Sequence, residues 1–188
     1  MASEVRARMV DGAVQLLAQK GLQATSFTEV LDLTGAPRGS VYHHFPGGKD
    51  QLVGEAVGQA GDRALELLDR VDGAAAEEVA AFFIGMWRTL LVRSDFGAGC
   101  AVAAVTVATD SLELLDRAAS VFRTWRHRLA QLLEKGGVHP HHAPGAAVLL
   151  IASCEGAVVL SRAERSMEPF DLASGQLQTW IGSIAGGA

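Results

Sequence analysis

The stretch "TSFTEVLDLTGAPRGSVYHHFPGGKD", residues 25–50, decides the fold. Ser26 and Glu29 have the S-x-x-E spacing of a helix N-terminus, where a hydroxyl satisfies an otherwise free backbone N–H. A helix is therefore predicted to begin near Phe27, with Phe27, Val30 and Leu31 on its apolar face. Gly35 ends it, because the left-handed backbone of a helix terminus costs least at glycine. Pro37 suits the first turn of a following helix, where a missing N–H loses no bond. That second helix is short, Pro37 to His44, and "FPGGKD" breaks it. Two short helices joined through a glycine turn are a helix-turn-helix, whose second member can lie in the major groove of a duplex.

The second helix has little apolar demand. Val41 can face the core, with Tyr42 or Phe45 covering the junction to the next helix. Arg38, Ser40 and His43 are left facing outward. Arg38 can reach a guanine edge or a phosphate, and Gly39 allows close approach of the backbone. Ser40, Tyr42 and a histidine can donate to phosphates without formal charge. Lys49 opens the following helix, where an ammonium and a helix N-terminus can together clamp a phosphate. From residue 33 to 49 the only formal charges are Arg38 and Lys49, both positive.

Helical period continues on both sides. Val5, Met9, Ala13, Leu16 and Leu17 predict a first helix stopped by Gly21. A long fourth helix carries Leu52, Val53, Ala56, Val57, Ala60, Ala64, Leu67, Leu68 and Val71. Val79, Phe82, Phe83, Met86, Leu90 and Leu91 give the next a broad apolar face. "FGAGCAVAAVTVATDS" fits a helix through Val102 and Val105, or a strand through Val105 and Val107; its helical neighbours favour the helix. Leu112, Leu115, Ala119, Phe122, Trp125, Leu129, Leu132 and Leu133 mark a helix over 111–135, while 145–163 is apolar nearly all round. A last helix over 170–184 carries Leu172, Leu177, Trp180, Ile181 and Ile184. The expected class is all-α, about nine helices, with a three-helix head at 1–49 and a larger helical bundle at 50–188.

The stretch "GLQATSFTEVLDLTGAPRGSVYHHFPGGKDQL" resembles the DNA-binding domain of the TetR/AcrR family of bacterial regulators. The resemblance rests on Gly21, Thr25-Ser26, Glu29, Gly35, Gly39, Val41-Tyr42, His44-Phe45, Lys49 and Leu52, in that order, over about a quarter of the chain. The long turn "FPGGKD" and the "GCAV" at 99–102 resemble the LmrA/YxaF-like subgroup. The resemblance implies DNA contacts from Ser26, Arg38, Gly39, Ser40, Tyr42, His43 and Lys49, with Ser26 also capping its helix. It implies a palindromic double-stranded operator bound by a homodimer, and a C-terminal pocket for a small hydrophobic or aromatic effector that releases the DNA. Phe83, Trp87, Phe122 and Trp125 either line that pocket or are ordinary core. Glu155, inside an apolar run, either faces solvent, pairs with Arg88 or Arg128, or meets a cation or hydroxyl in the pocket. The resemblance also implies a four-helix dimer interface, with Val158, Trp180 and Ile184 as candidates.

Bulk properties narrow the alternatives. The 188 residues carry a formal charge of -5, so contact with nucleic acid has to be local rather than a general coating. Cys100 and Cys154 are far apart and lack CxxC spacing, so no disulfide framework is expected. No signal peptide is visible in "MASEVRARMVDG", and the apolar part of "GGVHPHHAPGAAVLLIASC" is only residues 145–154, too short to span a bilayer. A cytoplasmic protein without cofactor or membrane is expected. The rival class is an all-α enzyme or a metal or redox sensor using His139, His141, His142, Cys100 or Cys154. No Gly-x-Ser-x-Gly, phosphate-loop or HExxH spacing supports catalysis.

Overall fold

The computed structural model describes residues 2–186, the side chains of residues 2, 3 and 40 excepted. The described residues form nine α-helices, two short 3-10 turns and no strand. The chain divides into two compact units, Met1–Arg63 with Cys100–Phe122, and Ala64–Gly99 with Arg123–Ala188.

The first unit begins with α1, Ala2–Lys20, which buries Met9, Ala13, Leu16 and Leu17 along one stripe. Gly21, at φ 78°, ends it, its N–H bonded to the Leu17 carbonyl. Helix α2, Phe27–Thr34, packs on α1 through Val30 and Leu31. Ser26 caps it: its hydroxyl accepts the N–H of Glu29 at 3.2 Å. The reciprocal arm of the capping box is replaced, because the Glu29 carboxylate takes Lys20 Nζ at 2.7 Å. Gly35 closes the helix in the left-handed region, at φ 64°.

The expected second helix is tighter than its sequence suggests. Arg38–Ser40 is a 3-10 turn and α3 covers only Val41–His44. Pro37 stands outside as the extended residue before the turn, with φ -65° and ψ 132°. Helix α4, Gly48–Leu68, follows after a turn in which Gly48 takes φ 77°. The unit also contains α6, Ala101–Thr106, packed on α1, and the first half of α7, Leu112–Lys135. Val102 and Val105 are buried while Val107, beyond the helix end, is 85% exposed, which settles the helix-or-strand ambiguity in favour of the helix.

The apolar face at the start of α7 is displaced from the expected one. Leu112 is 77% exposed, and Leu114, Ala118 and Val121 are the buried residues. The cause lies on α4, where Gly54, Gly58 and Gly61 face Leu114, Arg117 and Val121. A β-carbon at Gly61 would stand 2.8 Å from Val121, so close approach selects this face.

In the second unit, α5, Ala76–Arg93, α8, Ala143–Glu164, and α9, Glu168–Ala185, pack against one another. Phe83, Ile84, Trp87, Leu91, Leu150, Ile151, Cys154, Phe170 and Ile181 are buried there. The helix over the apolar 145–154 run is longer than that run: α8 is unbroken for 22 residues and, by length and composition, apolar enough to cross a membrane. Its inward stripe is instead occupied by α5 and α9. Arg128 ties α7 to the 3-10 turn Asp69–Val71, with Asp69 at 2.7 Å and Asp72 at 3.4 Å.

Candidate nucleic-acid interface

The reading head is built by division of inward and outward side chains between Arg38 and Phe45. Val41 and Phe45 point into the core and are buried, while Arg38, Gly39, Tyr42 and His43 are exposed on the other side. Phe27 supports this short element from beneath: its ring lies 6.5 Å from Tyr42 and 6.4 Å from Phe45. Arg6 stacks its guanidinium 5.3 Å over the Phe45 ring and pairs with Glu55 at 2.6 Å, so α1, α3 and α4 are locked around one aromatic side chain.

The exposed groups suit a phosphate-lined groove. Arg38 makes no hydrogen bond or ion pair among the described residues, so its five donors are available. Nothing lies within 4 Å of where a β-carbon on Gly39 would stand, which leaves the backbone there open to a ligand. Tyr42 is 79% exposed although its ring touches Phe27, an arrangement that fixes the ring and presents the hydroxyl. The His43 and His44 rings lie 5.2 Å apart. The Ser26 hydroxyl, having accepted one N–H, keeps its own proton to donate. Ser40 lies in the 3-10 turn, and its side chain is outside the described residues.

Lys49 has a role that its sequence position does not reveal. Its Nζ donates to the Leu22 carbonyl at 2.9 Å, joining the first turn of α4 to the turn after α1. Two ammonium protons remain for a phosphate. A bond between residues 27 positions apart leaves no periodic trace in the sequence.

The other candidate residues are distributed as follows. Phe83 and Trp87 are buried side by side on α5, rings edge to face at 6.3 Å, and Trp125 is buried on α7. Phe122 is half-buried and belongs to the first compact unit, whereas Phe83, Trp87 and Trp125 belong to the second. Trp87 Nε1 is buried with no acceptor among the described residues. Glu155 is half-buried on α8 with its Oε1 fully enclosed, while Arg88 holds Asp171 and Arg128 holds Asp69 and Asp72. Burial, and secondarily the charge of Glu155, push the neighbouring Cys154 thiol up to about 12. Val158 is only 2% exposed and so is core, not surface; Trp180 and Ile184 are half-buried. The outward face of α8 carries Val148, Leu149, Val159 and Leu160 instead. His139, His141 and His142 pack ring to ring in a loop, and among the described residues no group of three or more His, Cys, Asp or Glu side chains is placed to hold a metal ion.

Comparison with known proteins agrees with this architecture. Residues 9–56 match the family of bacterial regulatory proteins of the tetR type, and residues 75–176 match the LmrA/YxaF-like C-terminal domain of transcriptional regulators. An HTH-type transcriptional regulator of Mycobacterium tuberculosis is 39% identical over 183 residues, covering 94% of this chain and 93% of the relative. The HTH-type regulator LmrA of Bacillus subtilis is 26% identical over 168 residues, covering 87% and 89%. A TetR regulator from Chloroflexus aurantiacus of known crystal structure superposes with a TM-score of 0.80 at 26% identity, covering 96% of each chain. The chain belongs to the TetR family of helix-turn-helix transcriptional regulators, which are not enzymes, and carries a C-terminal domain of the LmrA/YxaF type.

Proposed function

We propose that this regulator is a repressor that holds a palindromic operator as a homodimer and releases it when a small apolar or aromatic effector binds. The carrying observation is the outward set Arg38, Gly39, Tyr42 and His43 on a turn anchored by buried Val41 and Phe45. Arg38 reads a guanine edge; Ser26, Ser40, Tyr42, His43 and Lys49 hold phosphates and fix the register. Repression is supported by the names of two further relatives, the transcriptional repressors DhaR of a Mycobacterium and KstR2 of Rhodococcus jostii. A bacterial repressor acts on DNA in the cytoplasm.

Dimerisation is supported by the uncovered apolar face of α8, Val148, Leu149, Val159 and Leu160, together with exposed Leu172 on α9. Monomeric proteins seldom leave such a stripe to water. Trp180 and Ile184, half-buried on the neighbouring α9, join this contact in the proposed dimer, in which two copies of the α8–α9 pair form a four-helix interface. A two-fold axis then places the two heads about one helical turn, roughly 34 Å, apart on the duplex. For the effector, Phe83, Trp87 and Trp125 supply aromatic surface in the second unit. The buried Trp87 N–H suits a ligand that brings a hydrogen-bond acceptor. Glu155, in the same unit, receives a cation or hydroxyl. The long α4 carries the response as a tilt, and a coupling of about 1–3 kcal/mol weakens operator binding roughly 5–150-fold.

An electrophoretic shift with the DNA upstream of the regulator's own gene, at moderate salt, tests this reading. Retardation by a palindrome in that fragment is expected; an absence of any sequence preference would sink it.

A further inference from the structure

A chain of polar contacts holds the turn between α3 and α4. The Gly47 N–H donates to Gln51 Oε1 at 2.9 Å, and Gln51 Nε2 donates to Glu55 Oε1 at 3.1 Å. Arg6 Nη2 donates to the same Glu55 oxygen at 2.6 Å, and its guanidinium lies 5.3 Å over the Phe45 ring. Phe45 is where the chain enters this turn, so the contacts return to their starting point. All of these residues belong to the first compact unit. Only one orientation of the Gln51 amide satisfies both ends, with its oxygen towards the N–H and its nitrogen towards the carboxylate. A β-carbon on Gly47 would stand 3.1 Å from Gln51 Oε1 and 3.2 Å from Gln51 Cβ, so the side chain folds back into space that glycine leaves. The Gly47–Gln51 bond alone is a local helix cap. The two further contacts make the turn depend on a residue of α1. What the turn delivers is the start of α4, whose first N–H groups have no intrahelical acceptor and where Lys49 stands.

We propose that Gln51 is a positioning residue for operator binding: by bridging Gly47 to the Arg6–Glu55 pair, it fixes the 46–48 turn so that the first N–H groups of α4 meet a phosphate. This rests on the operator reading for its purpose, whereas the coupling of Gly47 to Glu55 stands apart from it. An amide suits the task because it accepts at one end and donates at the other. Gln51→Glu would keep the cap and set two carboxylates one helical turn apart.

Solvent exchange of the Gly47 amide in the full chain, measured by NMR, tests the coupling without DNA. Glu55→Met removes the acceptor of Gln51 Nε2 and leaves both partners of the Gly47–Gln51 bond in place. In Glu55→Met and in Gln51→Met the Gly47 amide is expected to exchange at least about fivefold faster, with the amides of 53–60 unchanged. A titration with the upstream duplex then tests the purpose. Glu55→Met removes a negative charge, so charge alone predicts equal or tighter binding. Positioning by Gln51 predicts the opposite: at least about fivefold weaker binding, with a salt dependence shallower by about 0.9, the slope for one lost phosphate contact. Gln51→Met, which changes no charge, should show the same loss. Unaltered Gly47 exchange in Glu55→Met, acceleration along the whole of α4, or undiminished operator affinity in either variant would each overturn the proposal. If the wild-type protein itself ignores the duplex, the operator reading falls and takes the role of Gln51 in binding with it, while the Gly47 exchange still decides the coupling.

Discussion

Lys49 Nζ and the carbonyl of Leu22, 2.9 Å apart, join the start of α4 to the turn that follows α1. One ammonium therefore serves both the fold of the head and, in the proposed function, a phosphate. Lys49→Met should lower stability by about 1.5–3 kcal/mol, the range for a hydrogen bond to a charged group, and should also weaken operator binding. Thermal denaturation and fluorescence anisotropy read the two effects separately. A variant with lowered melting temperature and undiminished operator affinity would leave Lys49 with the structural role alone.

Arg38 offers the opposite case, since it makes no hydrogen bond or ion pair among the described residues and its loss should not disturb folding. Arg38→Ala should keep the wild-type melting temperature and lose about 1–3 kcal/mol of operator affinity, with relaxed preference at the base it reads. Equal affinity for the operator in wild type and variant would remove Arg38 from the interface.

What the sequence made legible was local punctuation. Ser26, Gly21 and Gly35 announce helix ends because caps and left-handed turns depend on one residue and its near neighbours. Val41 inward against Arg38 outward was readable for the same reason, whereas the sequence left the junction to Tyr42 or Phe45, and the structure buries Phe45 and exposes Tyr42. Relationships across space were not. Which face of α7 is buried depended on Gly54, Gly58 and Gly61 of another helix. The facing of α8 was hidden because a helix apolar all round has no polar stripe to mark its exposed side, and Val158 and Val159 look alike in sequence. Glu29 matched a capping box, but only packing revealed Lys20 as its partner.

That last pair of valines yields a discriminating experiment. Val159 is 65% exposed and Val158 is 2% exposed. Val159→Glu should leave the protomer folded and, if the proposed dimer uses this face, yield monomer by light scattering, because a carboxylate would stand in an apolar contact. Val158→Ala should instead lower stability by roughly 1–3 kcal/mol through loss of buried methyl groups and keep the dimer. A dimer that survives Val159→Glu and a matching Leu160→Glu would exclude this face of α8.

The two cysteines should separate by reactivity. Cys154 is buried, and burial together with Glu155 raises its thiol from 9.0 to about 12. Cys100 is half-buried at the start of α6, with the Ala103 N–H 3.3 Å from its sulfur. Maleimide labelling followed by mass spectrometry at pH 8 should modify Cys100 first and reach Cys154 only through opening of the fold. The same shift has a consequence for stability. Because the folded thiol holds its proton more tightly than the unfolded one, its contribution is intact below about pH 9 and is lost as pH rises towards 12. Alkaline denaturation of Cys154→Ala should therefore show a shallower decline in stability across pH 9–12 than wild type, after correction for the cavity. Identical slopes in the two proteins would mean that the thiol titrates alike in the folded and unfolded chains, and that α8 does not bury it.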